Sequence, residues 1–131
     1  MKYIAEKILE KKFSEFLSKR SWCSVSNQVA LSRKRIDVVA KSKSLNKIWA
    51  FEIKVKDWKT ALRQANLNVI ACDLSYVAIW HKYKNAPMKN RKIFEKHGIG
   101  LVVIEENFKP NWVIPPVENN FNPEAYNSIN F

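Results

Sequence analysis

An alternating stretch at residues 47–55 places two charged side chains in an otherwise apolar strand. Strand alternation puts apolar residues 49, 51, 53 and 55 on one face, and it puts Glu52 and Lys54 on the other. A charge buried without compensation costs free energy, so each group needs an ion partner, a metal ion or an open cleft. The sequence therefore predicts a functional site where Glu52 and Lys54 project from this strand.

The composition is that of one globular domain. The chain has 131 residues, of which 47% are hydrophobic, so it can build a substantial core. Only two glycines are present, which excludes glycine-rich phosphate-binding loops. Cys23 and Cys72 belong to no metal-binding spacing and are predicted to be reduced thiols. We expect a cytoplasmic protein without a membrane segment, because no apolar leader or membrane-spanning stretch is evident.

The positive charge is concentrated in the first part of the chain. The net charge is +11, yet residues 1–104 alone hold 22 Lys and Arg against 8 Asp and Glu. Residues 105–131 are acidic and rich in Pro and Asn. This contrast predicts a core domain at 1–104 and a C-terminal extension at 105–131 that packs on the core or on a partner. A strongly basic core predicts a polyanionic partner, most commonly nucleic acid; we expect DNA, with RNA left open.

Hydrophobic periodicity predicts the order helix, three strands, helix, strand, helix, strand. The corresponding ranges are 2–19, 24–31, 35–40, 47–55, a helix after Asp57, 74–80, 87–97 and 99–104. Short polar connections make the first three strands an antiparallel meander, and the apolar strand after the second helix is expected to be parallel. The predicted class is α/β (α+β), with a central mixed sheet flanked by helices. Asp37 then lies on the strand beside Glu52, at the same end of the sheet.

Ile36-Asp37 followed by Glu52-Ile53-Lys54 resembles the motif of the PD-(D/E)-x-K nuclease superfamily, the fold of restriction endonucleases and Holliday-junction resolvases. The resemblance covers roughly residues 1–104, and Ile36 stands where the family often has proline. It implies a restriction-endonuclease-like three-layer core. It also implies a metal-dependent endonuclease that hydrolyses DNA phosphodiester bonds with structure selectivity or weak sequence specificity.

The same resemblance implies roles for the motif residues. Phosphodiester hydrolysis uses a divalent metal that polarises the phosphate and acidifies a water molecule. Mg²⁺ or Mn²⁺ would be held by the carboxylates of Asp37 and Glu52 and by the backbone carbonyl of Ile53. Lys54 would orient or activate the attacking water and offset negative charge on the phosphate.

Two further groups are weaker candidates for the catalytic site. A fourth acid is expected from the first helix, either Glu6 or Glu10, and helix phase favours Glu10. Gln64, on the helix after the third strand, matches a glutamine that several nuclease branches carry there. Some branches have a tyrosine four positions later, where this chain has Asn68.

Basic residues that follow elements ending near the expected site are candidates for binding nucleic acid. They are Arg33, Lys34, Lys56, Lys59, Arg63, Lys82, Lys84, Lys89 and Arg91. The alternative is that they form an ordinary solvated surface.

Other interpretations stay open at this point. Glu52 and Lys54 could form a structural ion pair, with Asp37 pairing Arg33 or Arg35. The chain could be a non-catalytic nucleic-acid-binding module with a nuclease-like fold, or a basic protein that contacts an acidic protein. Symmetric cleavage of both DNA strands would require a homodimer, to which the aromatic C-terminal extension could contribute.

Overall fold

The computed structural model describes residues 4–31 and 34–119, which form one six-stranded sheet with helices packed against it. The elements are α1 (Glu6–Ser18), β1 (Cys23–Leu31), β2 (Lys34–Ser42), β3 (Ile48–Lys54), α2 (Trp58–Leu67), β4 (Leu74–Trp80), α3 (Asn85–Lys89), α4 (Arg91–His97), β5 (Gly100–Ile104) and β6 (Pro110–Ile114). Short 3₁₀ turns follow α2 and β4, at Asn68–Ile70 and His81–Tyr83. Within the described ranges, no helix is long and apolar enough to cross a membrane.

The sheet is mixed, and its strands lie in sequence order. The first three strands are antiparallel, and β3, β4 and β5 are parallel to one another. This arrangement confirms the predicted class and the central mixed sheet flanked by helices. The prediction that residues 99–104 form the last strand is wrong, because β6 pairs antiparallel with β5. Pro110 and the exposed Asn111 and Trp112 hide this strand from the sequence, since an edge strand needs little alternation and tolerates proline.

Each face of the sheet has its own apolar core. Leu9, Phe13 and Leu17 recur at four-residue spacing on α1 and pack with Phe51 and Ile53 on one face. A second cluster joins the buried residues of α2 to those of β4 and β5 that point the other way. Helix α1 packs on one face of β3 and α2 on the other, so the end of β3 has a fixed position.

Local signals set the ends of two helices, and the start after Asp57 is as predicted. Asp57 caps α2, since its carboxylate accepts the backbone N–H of Thr60 at 3.2 Å. Gly98 ends α4 with φ of +68°, a left-handed conformation that glycine adopts without strain.

The single helix predicted over residues 87–97 is instead two helices that meet at Asn90. The sequence predicts that Met88, Ile93 and Phe94 of this helix face the core. Phe94 is buried, but Met88 and Ile93 are 41% and 39% exposed, so the prediction is wrong for these two residues. The break at Asn90 changes the phase of the chain, so that α4 inserts only Phe94.

Strand β2 loses its strict alternation at Asp37. The sequence predicts Ile36 and Val38 on one face, whereas Ile36 packs in a cluster with Val39 and Val38 packs in the α1-side core. Across β1, Gln28 lies opposite Asp37 between the flanking register pairs and has a positive φ of 51°. Asp37 therefore sits at a local irregularity in both strands.

Candidate active site

The candidate site lies where β2 and β3 separate. Register pairs between these strands run from Lys41↔Ile48 to Val38↔Phe51, and the next residue of β2 is Asp37. Its Oδ2 accepts the backbone N–H of Ile53 at 2.8 Å. The Asp37 side chain thus bonds to β3 just beyond the point where the backbones of β2 and β3 stop pairing. Asp37 is thereby brought beside the Glu52–Lys54 segment, as the predicted pairing of the second and third strands requires.

Glu52 is the buried centre of the cluster, with 1% of its surface exposed. Its Oε2 accepts hydrogen bonds from Asn68 Nδ2 at 2.8 Å and from Lys34 Nζ at 3.1 Å. Burial, followed by repulsion from Asp37, raises the pKa of Glu52 to about 7 despite these two donors. Ionised Glu52 is therefore destabilised at this position, chiefly by its burial.

Lys34 contributes to the cluster itself. The sequence placed it among the residues that contact nucleic acid, but its ammonium lies among oxygen atoms beside Glu52. Besides Glu52 it donates to Asn68 Oδ1 at 2.7 Å and to the backbone carbonyl of Arg35 at 3.2 Å.

Lys54 points toward α1. Its Nζ lies 3.4 Å from Glu6 Oε2. Glu52 is therefore paired with Lys34, and Lys54 is paired with Glu6. The alternative interpretation of the sequence expected Glu52 and Lys54 to pair with each other. Because both Lys54 and Glu6 are partly exposed, their pairing is weak and leaves the ammonium accessible from solvent.

Both N-terminal glutamates approach the cluster, by different routes. Glu10 Oε1 accepts Gln28 Nε2 at 2.7 Å, and the same amide nitrogen lies 3.4 Å from Asp37 Oδ1. Burial above all, with repulsion from Asp37 as a smaller cause, raises the pKa of Glu10. Glu10 is thus linked to Asp37 through Gln28, whereas Glu6 is linked to Lys54.

A groove of about 550 Å³ opens between α1 and the β1–β2 hairpin, with Asp37 among its lining residues. The other lining residues are Glu6, Lys7, Glu10, Lys11, Ser14, Asn27 and Gln28. This volume lies in the range of small-molecule sites, so Asp37 faces a space in which a substrate group could lie.

Sequence reasoning missed the roles of Asn68 and Gln28. Asn68 is fully buried, and its amide joins Glu52 to Lys34. A signal existed, because Asn68 lies three residues after Ala65 and continues the apolar face of α2 into the turn that follows the helix. Gln64 lies one turn earlier and is half-buried; in the described part of the chain, no hydrogen bond joins its side chain to the cluster.

Exposed lysines surround this edge of the sheet. Because β3 and β4 are parallel, their carboxyl ends meet at one edge, where Lys56 and Lys59 follow β3 and Lys82 and Lys84 follow β4. The other residues predicted to contact nucleic acid have the following surroundings. Arg63 donates to Thr60, Lys89 ends α3, Arg91 lies 3.4 Å from Glu95, and Arg33 falls outside the described residues.

The donor set fits a hard divalent cation. Asp37 and Glu52 are close enough for their charges to interact, and the main chain of Ile53 is held directly against Asp37. Among residues 4–31 and 34–119, no three His, Cys, Asp or Glu side chains converge on one ion position. A magnesium site does not need three, since one or two carboxylates with carbonyls and water suffice.

Comparison with known proteins places the chain by its fold. No protein-family model matches the sequence, and no curated protein matches it. The structure is similar to that of the SPO1766 protein of unknown function from Silicibacter pomeroyi, with a TM-score of 0.70 and 15% identity over 97% of this chain and 82% of that one. It also overlaps the structure of SfsA from Pyrococcus furiosus, solved with Ca²⁺, at a TM-score of 0.43 and 11% identity over 89% of this chain and 62% of that one. The likeness to SPO1766 shows a shared fold, and the SfsA overlap is too weak to support any argument.

Proposed function

We propose that this protein is a metal-dependent nuclease that hydrolyses DNA phosphodiester bonds, with a restriction-endonuclease-like core of the PD-(D/E)-x-K type. The observation that carries the proposal is the cluster at the end of β3. Asp37 bonds to the main chain of Ile53, and Glu52 is buried beside it with its pKa raised to about 7. Lys54 follows on the same strand with an accessible ammonium. A carboxyl group with a strongly raised pKa, close to a second carboxylate that lines an open groove, is typical of a catalytic site.

Each residue has a chemical role under this proposal. When bound, Mg²⁺ or Mn²⁺ would act as a Lewis acid and acidify water, held by Asp37, Glu52 and the Ile53 carbonyl. Lys54 would orient the attacking water and neutralise charge that develops on the phosphate. Glu6 holds the Lys54 ammonium near the end of β3, and Gln28 links the Glu10 carboxylate to Asp37.

The charge of the chain supports nucleic acid as the substrate. Four exposed lysines follow β3 and β4 at the edge that carries the site, and the whole chain has a net charge of +11. Lysines at such an edge can contact phosphates without reading sequence. We therefore favour selection by DNA structure or weak sequence preference, and we expect binding to weaken steeply with salt.

A cleavage panel tests the proposal. Linear duplex, flapped, four-way and single-stranded DNA would be incubated with Mg²⁺ or Mn²⁺ and with wild type, Asp37→Asn, Glu52→Gln or Lys54→Met. Each variant should lose at least roughly a hundredfold in rate while keeping its fold and much of its DNA affinity. The matched control is Lys47→Met, which removes the same charge from the start of β3, away from the site. If all three site variants cut as well as wild type, the proposal is wrong.

A second candidate is a non-catalytic nucleic-acid-binding module. One observation favours it: the Lys34 ammonium already pairs with Glu52 and bonds Asn68, which partly neutralises the cluster. This function predicts salt-sensitive DNA binding, no cleavage with any metal or substrate, and equal affinity of wild type and Glu52→Gln.

A homodimer remains part of the proposal for cleavage of both strands. The extension aromatics at 121, 126 and 131 lie outside the described residues. Trp112, on the edge strand β6, is 47% exposed. Light scattering that gives a monomer mass both with and without DNA would contradict this part.

A further inference from the structure

The ammonium of Lys34 occupies a position built from oxygen atoms of three separate elements. Its distances are 3.1 Å to Glu52 Oε2 on β3, 2.7 Å to Asn68 Oδ1 after α2, and 3.2 Å to the Arg35 carbonyl on β2. Carboxylate, amide and backbone oxygens are the ligands that hard divalent cations prefer.

The oxygen atoms are fixed, and the ammonium is the movable member of the group. Glu52 and Asn68 are buried, and the Arg35 carbonyl belongs to a paired strand. The Asn68 amide is locked because Nδ2 donates to Glu52 while Oδ1 accepts from Lys34. The Lys34 side chain is 22% exposed, and its ammonium lies at the end of a flexible four-carbon chain. The ammonium can therefore move toward solvent without disturbing the core.

We propose that Lys34 holds the cation position of the metal-free site, and that a divalent cation displaces it and takes Glu52 Oε2, Asn68 Oδ1 and the Arg35 carbonyl as oxygen ligands. The inference rests on the proposed function for the role of the ion. It adds Asn68 and the Arg35 carbonyl to the ligands that the sequence motif implies. It also makes the Lys34 ammonium the occupant of the cation position until the ion arrives, while the fold itself holds the oxygen ligands in place.

The charges balance in this exchange. Asp37 and Glu52 carry two negative charges when ionised, whereas Lys34 supplies one positive charge to this position. A divalent ion replaces one charge with two and removes the remaining repulsion between the carboxylates. The released ammonium then lies near the basic edge of the sheet, where it can meet a phosphate.

Calorimetric titration with Mn²⁺ at pH 8 tests the displacement. Wild type, Lys34→Met, Lys34→Arg, Glu52→Gln and the control Lys47→Met would be compared. Lys34→Met should bind Mn²⁺ at least about tenfold more tightly than wild type, because the competing cation is gone. Lys34→Arg keeps a permanent charge and should bind no more tightly than wild type. Lys47 pairs with Glu118 at the other end of β3, so Lys47→Met should leave the affinity unchanged.

A second measurement uses the wild-type chain and does not depend on whether a variant folds. Lysine acetylation by a trace of acetic anhydride would be followed by mass spectrometry with and without Mn²⁺. Lys34 should become severalfold more reactive when Mn²⁺ is added, whereas Lys47 should not change. Unchanged reactivity of Lys34 under saturating Mn²⁺ would overturn the displacement.

The outcomes separate this inference from the proposed function. If wild type binds Mn²⁺ in a Glu52-dependent manner but Lys34→Met has the same affinity, the displacement is wrong and the nuclease proposal stands. If Glu52→Gln binds Mn²⁺ as well as wild type, or if neither wild type nor any variant binds it, the displacement and the nuclease proposal are both wrong.

Discussion

Replacement of Glu52 by glutamine is expected to stabilise the metal-free protein at neutral and alkaline pH, although it removes a carboxylate that the proposed chemistry needs. Glutamine has nearly the same shape, and its amide oxygen can still accept from Asn68 and Lys34. The substitution therefore changes mainly the cost of holding a negative charge at a buried position. Residues that serve a functional site often lower the stability of the fold in this way.

The pKa of Glu52 sets the sign and the size of this effect. Burial, followed by repulsion from Asp37, raises that pKa from 4.5 to about 7. Below pH 4.5 the carboxyl group is protonated in both the folded and the unfolded chain, so the penalty is absent. As the pH rises toward 7, the unfolded chain releases a proton that the folded chain keeps, and the free energy of unfolding falls. Above pH 7 the loss reaches about 3 kcal/mol, which Glu52→Gln should recover.

Urea denaturation followed by tryptophan fluorescence, in EDTA and between pH 4 and pH 8.5, measures this difference. The control is Glu118→Gln, which removes an exposed carboxylate that pairs with Lys47. Its stability difference from wild type should stay small at every pH. The reasoning is refuted if Glu52→Gln gains nothing between pH 4.5 and pH 7, or if it is less stable than wild type at pH 8.

Four further substitutions test the packing of the helices and the sheet by the same denaturation assay. Asp57→Ala should cost about 1 kcal/mol, because α2 loses its N-cap; no loss would contradict the cap. Gly100→Ala should cost at least about 2 kcal/mol, since the new Cβ would lie 2.6 Å from a ring carbon of Tyr76. Phe94→Ala should cost about 3 kcal/mol or more, whereas Ile93→Ala, at an exposed position, should cost under about 1 kcal/mol; equal costs would refute the position of α4.

The sequence alone determined the antiparallel pairing of the first three strands and the proximity of Asp37 to Glu52. Alternation with a period of two identified β3 and showed that Glu52 and Lys54 interrupt its apolar pattern. Short polar connections brought β2 beside it, so Asp37 had to lie near Glu52. Such inferences succeed because neighbouring antiparallel strands follow from local chain geometry. The metal, the substrate and the catalytic roles remain predictions.

Other features depended on contacts between residues far apart in the chain. Strand β6 forms because the edge of β5 offers unpaired backbone groups, and its own sequence carries almost no strand pattern. The irregularity opposite Gln28 changes which face Ile36 occupies, and alternation alone cannot reveal it.

The partners of the charged groups were likewise decided by the tertiary structure. Lys34 looked like one of many surface lysines and Asn68 like a departure from a motif. Packing of α2 against β3 brings Asn68 to Glu52, and Lys34 reaches the same carboxylate from the start of β2. Long side chains reach oxygen atoms on elements that are distant in sequence, so their partners depend on how helices and sheet pack. The sequence thus determined where a buried carboxylate would lie, and the tertiary structure decided which cation stands beside it.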